Sequence, residues 1–146
     1  MESAVSRNCR RVILRRGDEY VVFRTTDIAY IYLENKSCFL VDLRNGEKNK
    51  VSGSLHDIYE MLDHSDFYRV NKNYIVNIRA IVSMRCCDIN KVELILKPQP
   101  VEKVFISQLR INHFKEWIEM ENAVLPEHGI WLRLPPMNQC QIHHKN

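Results

Sequence analysis

Phe67-Tyr68-Arg69-Val70-Asn71-Lys72-Asn73-Tyr74-Ile75-Val76-Asn77 consists of two apolar runs around a polar tip. Each run is too short for a helix and rich in β-branched and aromatic residues, so each predicts a strand. The tip, Asn71-Lys72-Asn73, offers amide donors and acceptors and one cation, with no carboxylate. Strands on both sides would anchor it and lower the ordering entropy that binding must overcome. An Asn amide can pair bidentately with adenine in the major groove, and Lys can reach guanine acceptors or a phosphate. The same residues also suit a plain polar turn in a β protein. Tyr74, Ile75 and Val76 are core candidates. Asn77 is expected to bond to buried backbone, as Asn does readily. Arg69 suits either a structural ion pair or a phosphate contact.

Upstream, the texture is also β. Val12, Leu14 and Tyr20-Val21-Val22-Phe23 flank the turn sequence Arg16-Gly17-Asp18-Glu19 and predict a hairpin. Ile28 to Leu33 and Cys38 to Leu43 read as strands. Asn45-Gly46 is the preferred pair for a type I′ turn, leading into a return strand from Lys48 to Val51. Ser54 then opens a helix, able to accept from the backbone N–H of Asp57. Leu55, Ile58, Met61 and Leu62 recur at helical spacing as its apolar stripe. His64-Ser65-Asp66 ends it.

Downstream, Ala80 to Met84 and Val92 to Leu96 bracket a turn around Asp88 to Lys91. The second run alternates cleanly, which predicts one solvated face. Lys97-Pro98-Gln99-Pro100 breaks the ladder, because Pro supplies no donor. Val104-Phe105-Ile106 is a short strand. Ser107 is expected to cap a second helix running to about Glu121, with Ile106 and Ile111 as a staple. Leu109, Phe114, Trp117 and Ile118 form its expected buried stripe, and His113 is expected to be exposed. Residues 1–9 read as an arm, 10–120 as the domain and 121–146 as a tail. Ile130-Trp131-Leu132 in the tail is apolar enough to predict packing on the domain or on a second copy.

Composition narrows the function classes. With 146 residues the chain suits one domain and is too short for a catalytic α/β barrel or a kinase. Hydrophobic residues at 45% place it among globular chains rather than disordered ones. No apolar run reaches a membrane-spanning length, and the opening MESAVSRNCRR lacks the apolar stretch of a secretory signal. The expectation is a cytoplasmic protein with reduced thiols at its five Cys. The net charge of +3 is too small to identify a nucleic-acid partner, but it allows a local basic surface. There is no G-x-S-x-G, phosphate-binding Gly loop or H-E-x-x-H, and no Cys or carboxylate spacing completes a metal site around the scattered His. No enzyme activity, cofactor, metal or small-molecule substrate is expected.

Four pieces in one order carry a family resemblance. They are Asp27-Ile28-Ala29-Tyr30-Ile31, Gly53-Ser54-Leu55, the motif from Phe67 to Asn77, and Ile106-Ser107. Together they resemble the LytTR family of bacterial DNA-binding domains over roughly residues 10–118. The resemblance implies a mainly β fold of small stacked antiparallel sheets, with one short internal helix and a C-terminal helix. It implies a transcription regulator, of the kind often joined to a receiver domain. With only about ten residues before the first strand, the expectation here is a stand-alone domain. The family's loops, rather than a recognition helix, would enter the major groove of promoter DNA.

The loops correspond to Asn35-Lys36-Ser37-Cys38, Asn71-Lys72-Asn73 and Ser107-Gln108-Leu109-Arg110. The expected DNA-binding residues are Asn35, Lys36, Ser37, Cys38, Arg69, Asn71, Lys72, Asn73, Ser107, Gln108 and Arg110. This chain departs from the family where Asn71 replaces a usual His and Asn73 a usual Ser. Cys38 stands where a polar reader is expected, and Gln108 and Leu109 precede Arg110 where Arg usually follows the serine. The implied partners are double-stranded DNA and a second copy on repeated half-sites. The alternative is a protein-interaction module of the same fold that has lost DNA binding.

Overall fold

Tyr30, Ile31 and Tyr32 determine the layering, because successive strand residues face opposite sides of a sheet and all three are buried. Their strand must therefore be covered on both faces. In the computed structural model, which describes residues 10–120, it lies at the centre of a five-stranded sheet. The strands in chain order are β1 (Arg11–Arg16), β2 (Glu19–Arg24), β3 (Ile28–Glu34), β4 (Ser37–Asp42), β5 (Lys48–Val51), β6 (Phe67–Asn71), β7 (Tyr74–Asn77), β8 (Ile81–Asp88), β9 (Lys91–Leu96) and β10 (Val104–Ile106). Helix α1 (Leu55–Met61) joins β5 to β6, and α2 (Ile111–Glu119) follows β10. The sheets are β1-β2, β10-β9-β8 and β5-β4-β3-β7-β6, each antiparallel throughout. This is the expected mainly β architecture with one internal and one C-terminal helix.

The large sheet is a shared wall between two cores. On one face, Tyr30, Tyr32, Tyr68, Val70, Tyr74 and Val76 pack with β8 to β10 and α2. On the other, Ile28, Ile31, Cys38, Leu40, Phe67 and Ile75 pack with α1 and the β1-β2 hairpin. Phe67 and Phe114 are 1% and 0% exposed, and burying a side chain of that kind contributes about 1.5–3 kcal/mol. Ser54 caps α1 as expected, its hydroxyl accepting from Asp57 N–H at 3.1 Å. Asn77 also takes its expected role. Its amide donates to the Ile28 carbonyl at 2.8 Å and accepts from Arg79 N–H at 3.0 Å.

Several local expectations fail. Asn45-Gly46 is not a two-residue turn: Val41 pairs with Lys48, and the connection is ordered by Asp42, which accepts from the Arg44 backbone and guanidinium. Met61 is 41% exposed, and Leu62 fills the core beyond the end of α1. The solvated face that alternation predicts for β9 fails at Glu93, which is 6% exposed, its carboxylate 3.6 Å from Arg85. Ser107 makes no side-chain cap. A 3-10 turn at Gln108–Arg110 intervenes, and α2 starts only at Ile111. Leu109 therefore faces solvent, and Ile111 takes its place beside Phe114 and Trp117. Cys38 and Cys87 are free thiols. The expectations for the arm and for the tail with Trp131 lie outside the described residues. No described helix is long and apolar enough to cross a membrane.

Candidate nucleic-acid interface

The register of the large sheet brings two of the three expected loops together. Tyr32 pairs with Tyr74, and Leu33 N–H donates to the Asn73 carbonyl at 2.9 Å. The β3–β4 and β6–β7 turns therefore leave the same end of the sheet. The third segment is tied there by two bonds. Ser107 N–H donates to the Val70 carbonyl at 2.8 Å, and the Asn71 amide donates to the Phe105 carbonyl at 2.6 Å.

The first turn is tighter than expected. Glu34 pairs with Ser37, leaving Asn35 and Lys36 as a two-residue turn with φ of 51° and 67°. Positive φ at both central positions is the type I′ geometry, whose twist matches that of the flanking strands. Asn35 and Lys36 are exposed and Ser37 is half-buried. Glu34, at the base of the turn, is paired with Lys48 at 3.0 Å. Cys38 does not belong to this surface. It is the second residue of β4 and 2% exposed, its side chain turned into the core, where burial pushes the thiol pKa up.

The second turn holds itself in shape. Asn71 pairs with Tyr74, so Lys72 and Asn73 form the tip. The Asn71 side-chain oxygen Oδ1 accepts from Asn73 N–H at 2.8 Å while its Nδ2 donates to the Phe105 carbonyl. Both ends of the amide expected to read adenine are thus engaged within the protein. Arg69 donates to the Lys72 carbonyl at 2.9 Å and braces the turn from below. Lys72 is exposed and Asn73 half-buried.

At the third segment Gln108 and Arg110 are exposed and Ser107 is half-buried. The Tyr68 hydroxyl contacts this segment and helix α2. It lies 2.7 Å from Nδ1 of His113, which is exposed on α2 as expected. Burial pushes the Tyr68 phenol pKa up, and the adjacent Arg110 guanidinium pulls it back. The signal for this link is the spacing of Arg110 and His113 about a buried tyrosine, which only the packing of α2 on β6 reveals. Among the described residues, no group of His, Cys, Asp or Glu is placed to hold a metal ion.

Residues 18–119 match the family model described as the LytTr DNA-binding domain. The chain belongs to the LytTR family. The described LytTR domain is accordingly a DNA-binding domain, and DNA is its partner at that level. A solved structure of similar shape is the LytTr DNA-binding domain of a Bacillus cereus protein. It is 18% identical, covers 76% of this chain and 98% of its own, and superposes with a TM-score of 0.66. At that identity the likeness is one of fold. No curated protein matches the chain.

Proposed function

We propose that this protein is a sequence-specific transcription regulator of the cytoplasm. It inserts the β3–β4 turn, the β6–β7 turn and the β10–α2 junction into the major groove of promoter DNA. The observation that carries this is the convergence of the three segments at one end of the large sheet, presenting Lys36, Lys72, Gln108 and Arg110 to solvent. Cations placed there would neutralise phosphates, and the amides of Asn35, Asn73 and Gln108 have the chemistry to meet base edges. Asn71 and Arg69 support the surface by fixing the turn. The family likeness favours two copies on repeated half-sites, and residues 10–120 as the unit that binds.

The test is a gel shift of the full chain with random duplex at two salt concentrations, followed by selection of bound duplexes from the pool. Salt-sensitive binding with an enriched, repeated sequence supports the proposal. Failure to bind any duplex transfers the weight to a protein-interaction module of the same fold.

A further inference from the structure

Leu109 is 94% exposed, the most exposed of the large apolar side chains among the described residues. A scattered surface leucine needs no explanation in general, but this one is held out by its neighbours. Ile106 and Ile111 on either side are 3% and 6% exposed, so the core sets the phase of the turn from both ends. Between them, Ser107 N–H is bonded to the Val70 carbonyl and Arg110 N–H to the Ser107 carbonyl, each at 2.8 Å. Leu109 cannot turn inward while both isoleucines stay in the core. It projects between the exposed Gln108 and Arg110, on the segment docked against the Lys72 turn.

On a surface that meets the major groove, an apolar side chain has one distinctive base partner: the C5 methyl group of thymine. A leucine can neither donate to nor accept from the other base edges. We infer that Leu109 is a specificity-determining residue that packs on a thymine methyl at the base step facing the β10–α2 junction. This inference rests on the DNA-binding mode proposed above.

The experiment uses the full chain and a duplex it selects from a random pool. Thymines are replaced one at a time by uracil, which removes the methyl and keeps the base pair. Losing contact with one buried carbon is worth about a fourfold change in affinity. One or two positions should therefore weaken about fourfold for the wild type. Leu109→Ser should bind the thymine duplex about fourfold more weakly and be indifferent to uracil at those positions, with an unchanged thermal midpoint because the side chain is exposed. Lys72→Ala, which weakens binding, should keep the uracil penalty. The inference is overturned if no uracil position matters to the wild type, or if Leu109→Ser keeps the full penalty. It is also overturned if Leu109→Ser binds every duplex normally but loses self-association, which would assign the leucine to a protein contact. Absence of binding to any duplex would remove the DNA-binding mode itself.

Discussion

The Asn71 amide nitrogen and the Phe105 carbonyl oxygen are 2.6 Å apart, a bond between positions 34 residues distant in sequence. It fastens the β6–β7 turn to the strand that leads into the third candidate DNA segment. The same side chain accepts from Asn73 N–H. Asn71→Ala removes both bonds and leaves the Phe105 carbonyl and the Asn73 N–H without this partner. Each such loss costs roughly 1–3 kcal/mol when the group stays buried. The expected result is a lower urea midpoint, with the base preferences of the remaining folded protein retained. Altered base preference at unchanged stability would instead make Asn71 a reader.

Lys36 and Lys72 lie at the tips of neighbouring turns. If each neutralises one phosphate, Lys36→Ala and Lys72→Ala should each make the slope of log K against log [salt] shallower by about 0.9. The weakening should be similar for selected and random duplexes. A slope equal to that of the wild type removes that lysine from the interface.

Asn77 is 1% exposed and joins β7 to the start of β3 through the Ile28 carbonyl. Asn77→Ala leaves that carbonyl and the Arg79 N–H without their partner. Destabilisation of about 1–3 kcal/mol is expected. Equilibrium urea unfolding measures it, and a change within error would show that other groups or water replace the amide.

Tyr30 has its pKa pushed up to about 12, first by burial and then by the neighbouring Tyr32. Tyr74 is raised as well, first by burial and then by the negative charge of Glu102. A phenol raised above its unfolded pKa of about 10 stabilises the fold fully below that value, and the contribution is lost as pH rises through the folded pKa. The thermal midpoint should therefore fall as pH climbs from about 10 towards 12. Tyr30→Phe, although it also gives up the bond from the Tyr30 hydroxyl to the Pro98 carbonyl, should show a smaller alkaline decline. Parallel declines for the two proteins would show that Tyr30 is not the group responsible.

Much of the candidate site was legible because the strands flanking it are short and strongly patterned. Phe67 to Val70 and Tyr74 to Val76 could only be paired strands, so Lys72 had to lie at a tip. The failures share one cause, a local preference overruled by packing. Asn45-Gly46 has the composition of a type I′ turn, yet Asn35-Lys36 adopts that geometry, because β3 and β4 are paired up to Glu34 and Ser37. Cys38 stood in a polar stretch but carries the inward phase of β4. Leu109 fitted a helical stripe, but the 3-10 turn ahead of α2 breaks the helical phase and leaves Ile111 as the first core residue.

Period and composition by themselves determined that this chain is mainly β with two helices, where its strands and its first helix lie, and which polar segments interrupt them. These are local properties, carried by β-branched runs, a serine cap and proline breaks that act over a few residues. Only the tertiary structure decided that β7 lies beside β3, that three polar segments meet at one end, and which of their side chains are available there. Asn71 is held by Phe105, Arg69 by the Lys72 carbonyl, and Cys38 by the core, whereas Lys36, Lys72, Gln108 and Arg110 face solvent. Hydrogen-bond partners and burial belong to groups far apart in the chain, so no local pattern encodes them, and they exist only once the sheets have packed.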